Sequence, residues 1–215
     1  MSIDISKTNY ILMGAGGHSS VLLDIINLKE LNIVGVCDPT LIKKNIKEWN
    51  NLPVLGNDEY LKELNTNTYK IINGVGSVPN SNRRLELQKF IDGNGFSSPT
   101  LIHPFTSISQ NAHISEKGVQ IMAGSIIQGG TKVMNNVILN TNVSIDHDCV
   151  IRDNANISPG AVVCGNVEIE ENVFVGCGAR IINNVKIGKN SIIGAGSVIL
   201  SDVTEGSKVI QKYEK

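Results

Sequence analysis

From Ile121 onward an aliphatic residue returns at every sixth position: Ile127, Val133, Leu139, Ile145, Ile151, Ile157, Val163, Ile169, Val175, Ile181, Ile187, Ile193 and Ile199. Four positions after each stands a small or β-branched residue, from Ser125 and Thr131 through Cys149, Ala155 and Ala161 to Ser197. A period of six fits neither a helix of about 3.6 residues per turn nor the alternation of one long strand. It predicts short strands meeting at corners in a parallel β-helix, three hexads to a coil. The aliphatic residue fills a narrow interior and the small one fits beneath the next coil. Ile102, Ile108 and Ile114 keep the period one residue out of phase, which predicts a local bulge between Ile114 and Ile121. The array over residues 102–203 holds about five to six coils and has no long loop to carry a site.

The first half is patterned differently. Residues 10–13 read as a short apolar strand, GAGG as a glycine turn, the following stretch as a helix capped by Ser19 or Ser20, and residues 32–37 as a second strand. This is a βαβ unit. Downstream, DEYLKEL predicts a short helix, YKIINGVGS a strand ending in glycines, and NSNRRLELQKFIDGNGF a helix with Gly93 and Gly95 after it. The segment SSPTLIHPFTSIS marks the junction. The expected organisation is a Rossmann-like nucleotide- or sugar-binding α/β domain over residues 1–98, an all-β parallel β-helix domain over 99–205, and a tail over 206–215. Asp38 ends the second strand, where a dinucleotide fold places an acid for a ribose hydroxyl. Serine occupies position 19, where that fingerprint needs its third glycine, so a small nucleotide or sugar site is expected rather than a redox NAD site.

Composition narrows the picture. A formal net charge of −1 over 215 residues offers no electrostatic footprint for nucleic acid. No basic, apolar and cleavage regions open the chain, and no apolar run reaches the roughly 18 residues of a membrane span, so a soluble cytoplasmic protein is expected. Four cysteines without a CxxC pair indicate reduced thiols, with neither a disulfide framework nor a metal site. Aromatic content of 4% agrees with a thin core of β-branched side chains.

The chemistry concentrates in SIDHDCVI. His147 lies two residues after Ile145 and so points outward; the coil spacing stacks Gly129 below it and Gly165 above. Successive rungs are about 4.8 Å apart, so an imidazole between two glycines has open space, and the Gly165 N–H is free to serve a reacting oxygen. Asp148 or Asp146 would fix the ring tautomer and raise its basicity. The competing reading is an idle surface histidine. Cys149 falls at an inward position, and no histidine stacks against Cys164 or Cys177, so a cysteine nucleophile is not expected. His103 and His113 fit solvated or junction-packing roles. Gly14, Gly16 and Gly17 fit a tight turn or the close approach of a phosphate to a helix N-terminus, and His18 either caps that helix or contacts a ligand.

GAGGHS, the acid after the second strand, LIHP, and LNTNVSIDHDCVI followed by ISPGAVVCGNV together resemble bacterial sugar acetyltransferases. That family includes sialic acid O-acetyltransferases and UDP-4-amino-sugar N-acetyltransferases of bacillosamine-type pathways, and the resemblance spans nearly the whole chain. It implies a left-handed β-helix, acetyl-CoA as co-substrate, and a homotrimer with active sites between subunits serving cell-surface polysaccharide biosynthesis. It further implies that His147 is the general base and Asp148 the acid that increases its basicity. Gly16, Gly17, His18, Asp38 and Gly76 match positions that hold the nucleotide or sugar. Gly165, Cys177 and Ala195 match positions lining the acetyl-CoA cleft. Asn156 replaces a second histidine that contacts acetyl-CoA, and a familiar Gly-x-Pro-Ala-Lys ending is absent, leaving Lys208, Lys212 and Lys215 to meet the CoA phosphates. The expected reaction is direct N-acetylation of a UDP-linked 4-amino sugar. O-acetylation of a sialic acid or related sugar is the alternative, and a non-catalytic nucleotide-sugar-binding protein is the reading from another class.

Overall fold

The computed structural model describes residues 8–210, in two compact units with the chain passing from one to the other between Pro99 and Thr100. The first unit contains β1 (Asn9–Met13), α1 (Gly17–Leu28), β2 (Ile33–Cys37), α2 (Pro39–Lys43), β3 (Glu48–Trp49), β4 (Leu52–Gly56), β5 (Tyr69–Asn73) and α3 (Arg83–Gly93). Its sheet has the order β3-β4-β2-β1-β5 and is parallel except for the β3–β4 hairpin. Ile11, Leu12 and Met13 of the inner strand β1 are all fully buried, as a parallel strand covered on both faces requires. On α1 the spacing of Leu22, Ile25 and Ile26 turns one apolar stripe inward. Burial in this core pushes the Cys37 thiol up to about 12.

Local details differ from the sequence pattern. Neither Ser19 nor Ser20 caps α1. The N-cap is Gly16 in extended conformation, with no side-chain hydrogen bond to the helix. Ser19 is buried inside the first turn, its Oγ 2.6 Å from Gly14 O and 2.9 Å from Gly74 O, where it links the glycine turn to the end of β5. The glycines admit the helix earlier than a serine cap would. Residues Asp58–Glu63 form a 3-10 helix, and Gly93 is the last residue of α3 while Gly95 takes the left-handed turn (φ +79°). The short α2 and the β3–β4 hairpin were not apparent from periodicity.

The second unit is a stack of triangular coils. Face one begins at Leu101–Ile102 and has seven strands, face two begins at Ser107–Ile108 and has six, and face three begins at His113–Ile114 and has five. Register is eighteen residues through the body of the stack, as in Ile145↔Val163 and Val163↔Ile181. The first coil takes nineteen, Ile102↔Ile121, which is the predicted bulge. The last is cut to sixteen: Val203 bridges to Ile187 and Val209 pairs with Ile193. Lys208–Val209 is therefore a strand of the stack, where the sequence had placed a tail. Every hexad aliphatic from Ile121 to Ile199 is buried, and each contributes about 1.5–3 kcal/mol.

A third periodicity sets the corners. Three residues after each hexad aliphatic from Ile121 to Ile193 the backbone has positive φ, and those positions hold five glycines, seven asparagines and Asp148. These are the residue types that tolerate the left-handed region. Asparagines stacked on successive coils bond to one another, Asn166 Nδ2 to Asn184 Oδ1 (2.8 Å) and Asn172 Nδ2 to Asn190 Oδ1 (3.0 Å).

Candidate active site

His147 lies at the corner between faces two and three. The coil ladder engages its neighbours, Asp146 N donating to Val163 O and Asp148 N to Gly129 O. The His147 amide is turned out of that ladder and donates to Asp146 Oδ1 (2.8 Å). Its ring is 61% exposed, and Nδ1 lies 2.9 Å from Asp148 Oδ2. The Asp148 hydrogen bond, and secondarily the Asp146 charge, raise the imidazole above its ordinary value. With Asp148 ionised, Nδ1 carries the proton and Nε2 is left as the basic atom. Asp148 occupies one of the positive-φ corners (φ +58°), where an asparagine would satisfy the backbone equally. What the aspartate adds is its charge.

The ring leans upward. A Cβ built on Gly165 would lie 2.5 Å from His147 Nε2 and 2.6 Å from Cε1, whereas one built on Gly129 would meet Ser109 and Asn111. The pocket for the imidazole is therefore made by Gly165 alone, not by two equivalent glycines. Gly165 O accepts from Asn184 N, and among the described residues its own N–H has no partner. A bare rung, a basic nitrogen against it and an unused amide donor form a site able to remove a proton and receive a developing oxyanion.

A shallow groove of about 350 Å³ starts at Asp148 and runs along face three past Asn166, Glu168, Lys186 and Asp202. Arg152 and Lys186 both pair with Glu168, and Lys186 reaches Glu170 at 2.7 Å. Arg152 is the main reason the Glu168 carboxyl sits below its ordinary value. This groove was not foreseen, although Glu168 and Lys186, eighteen residues apart on one face, carry its signal.

Other candidates are placed elsewhere. Cys177 and Ala195 stack on successive coils at the corner between faces one and two, joined by Gly196 N to Cys177 O (2.8 Å). One chain does not bring that corner to His147. Asn156 is on face one, buried, and donates to Ser158 Oγ (3.0 Å). Lys208 is exposed on the last strand of face one, while Lys212 and Lys215 lie outside the described residues. Cys149 is buried in the interior with its thiol raised by desolvation, so it packs rather than reacts. His103 Nδ1 accepts from Phe105 N (2.9 Å) at the start of the stack, a local turn role.

In the first unit, Gly14 needs its freedom because φ is +97°. Gly16 and Gly17 do not: their φ is not positive, and a Cβ on either meets nothing within 4 Å. Open space at two glycines heading a twelve-residue helix is what close approach of a ligand would require. Gly76 backs onto His18, its would-be Cβ 3.2 Å from His18 Cβ. Asp38 lies at the end of β2 with both oxygens engaged, Oδ2 by Ala15 N (2.9 Å) and Oδ1 by Thr40 N (2.7 Å) and Leu41 N (3.0 Å). It caps α2 and fixes the glycine turn, a structural role that the ribose analogy did not anticipate.

Among the described residues no helix is long and apolar enough to cross a membrane, and no group of three His, Cys, Asp or Glu is placed to hold a metal ion. The PglD N-terminal domain family matches residues 9–90, and the bacterial transferase hexapeptide family (six repeats) matches residues 166–201. The acetyltransferase domain of PglB from Neisseria gonorrhoeae FA1090, solved with acetyl coenzyme A, is 31% identical with a TM-score of 0.84, over 94% of this chain and 95% of that one. A histidine-to-asparagine variant of perosamine N-acetyltransferase from Caulobacter crescentus, solved with CoA and GDP-perosamine, is 27% identical with a TM-score of 0.84, over 93% and 92% of the two chains. WeeI from Acinetobacter baumannii AYE, 22% identical with a TM-score of 0.73 over 95% and 97%, shares the fold.

Proposed function

Since the chain belongs to the bacterial sugar acetyltransferases of the left-handed β-helix superfamily and takes acetyl-CoA as co-substrate, we propose that its acceptor is the amine of a UDP-linked 4-amino sugar. The observation that carries the reading is His147, held by Asp148 at 2.9 Å with Nε2 against the bare Gly165 rung. His147 Nε2 removes a proton from the amine as its lone pair adds to the thioester carbonyl. The Gly165 N–H receives the oxyanion of the tetrahedral intermediate. Collapse breaks the C–S bond, and the proton on His147 passes to the departing CoA thiolate. No covalent enzyme intermediate is needed.

The nucleotide-sugar site centres on Gly16, Gly17, His18 and Gly76, with Asp38 holding the turn that shapes it. The acetyl-CoA cleft is lined by Gly165 from one corner and by Cys177 and Ala195 from another, with Lys208 toward the CoA phosphates. Because these corners are separated within one chain, a homotrimer in which a neighbouring copy supplies the second wall completes the site. Asn156, buried and donating to Ser158 Oγ, offers acetyl-CoA a weaker contact than a histidine in its place would.

Thiol release from acetyl-CoA, followed with a panel of UDP- and GDP-linked 4-amino sugars and sialic acids, tests the reading. Release with a UDP-linked amine is expected. Release only with a sialic acid would replace N-transfer by O-transfer, and no release with any acceptor would favour a binding protein. His147→Ala should lower turnover by about 10²- to 10⁴-fold, and near-normal turnover would remove His147 as the base.

A further inference from the structure

Asp148 is one of a column of corner residues eighteen apart: Gly130, Asp148, Asn166 and Asn184. We propose that Gly130 is a positioning residue for the acid–histidine pair, because its missing side chain leaves the space into which the Asp148 carboxylate folds to face His147. This rests on the reading of Asp148 as the partner of the general base.

A Cβ built on Gly130 would lie 2.2 Å from Asp148 Oδ1 and 3.2 Å from Cγ, so Oδ1 occupies the volume that any side chain at 130 would claim. The other oxygen, Oδ2, meets His147 Nδ1 at 2.9 Å. A carboxylate is rigid and planar, so displacing Oδ1 swings Oδ2 away from the ring. Backbone geometry alone does not demand glycine here. Gly130 has φ +75°, and seven other corners accept asparagine at positive φ. Higher in the same column Asn166 stands under Asn184 and donates to it at 2.8 Å. An asparagine at 130 would present the same amide to Asp148 Oδ1 and draw the carboxylate into the column. Gly124 is a matched case at a corner without histidine: φ is +74°, and its would-be Cβ lies 2.0 Å from Asn142 Oδ1. It carries the same steric burden and lacks the chemistry.

The test uses the full chain carrying Gly130→Asn, Gly130→Ala, Gly124→Asn, Asp148→Asn or the double change Asp148→Asn with Gly130→Asn. The His147 imidazole is titrated by proton NMR, its signal assigned with His147→Ala; Asp146 and Asp148 are the charged groups that act on it, and Asp146 is kept throughout. Gly130→Asn should lower the His147 pKa as Asp148→Asn does and bring acetyl transfer to within about twofold of that variant. The double change should cost no more than about twofold beyond Asp148→Asn. Gly124→Asn should keep the wild-type titration, and Gly130→Ala provides the same displacement if the asparagine variant folds poorly. A wild-type titration in Gly130→Asn or Gly130→Ala beside a lowered one in Asp148→Asn would overturn the proposal. So would losses that simply add in the double variant. An unshifted His147 in Asp148→Asn would instead remove the acid–histidine pairing beneath it.

Discussion

Gly165→Ala isolates the geometry of the proposed base. The added Cβ would start 2.5 Å from His147 Nε2 and 2.6 Å from Cε1. Non-bonded heavy atoms settle at about 3.5 Å or more, so the ring must retreat by about 1 Å. Gly165 is not a positive-φ residue, its carbonyl bond from Asn184 N does not involve a side chain, and His147 is largely exposed, so the coil itself accommodates the methyl. Melting temperature should therefore change little, whereas kcat/KM should fall by about 10²-fold, the effect expected of a reactive group misplaced by about 1 Å. Thiol release at saturating acetyl-CoA, alongside a circular-dichroism melt, reads both quantities. A variant within about threefold of wild type would mean that the imidazole does not need the Gly165 rung, and the proposed site geometry would fail.

Two further outcomes follow from the same geometry. The Asp148 hydrogen bond and the Asp146 charge raise the His147 pKa, and only the neutral ring accepts a proton, so kcat/KM falls as pH drops through that raised value. Asp148→Asn removes the larger cause and should move the acidic limb to lower pH while lowering the plateau; an unmoved limb in the pH profile would contradict the pairing. Gly16→Ala meets open space and should cost at most about 1 kcal/mol of stability as a poorer N-cap. Its methyl fills space the ligand would use and should raise KM for the nucleotide sugar by about tenfold, equivalent to weakening one backbone hydrogen bond, with kcat and KM for acetyl-CoA retained; an unchanged KM would move the ligand away from this helix end.

The coils were legible because each interior position takes one residue and offers one polarity. Ile121 through Ile199 can therefore be counted without a structure, and the bulge before Ile121 shows as a phase shift. The corner code was equally present, in asparagines and glycines three places after each aliphatic, but it appears only when backbone conformation is considered alongside burial. The shortened last coil was hidden because Val203 and Val209 fall out of phase after Ile199, and only pairing reveals them as its continuation. In the α/β unit, Asp38-Pro39 carried the start signal of α2, a capping acid followed by proline, at a position that equally fits an acid for a ribose hydroxyl. At the site, the residue column around His147 was readable from the spacing of eighteen. Its asymmetry was not, since Gly129 and Gly165 are equivalent in sequence and only the ring rotamer distinguishes them.

The most direct measurement is a crystal structure of the protein with CoA and a UDP-linked 4-amino sugar bound. The sugar amine should lie about 2.6–3.2 Å from His147 Nε2, with the CoA sulfur alongside the Gly165 amide. An amine held beyond reach of His147 in every copy, with another side chain in that place, would contradict the assignment of the base.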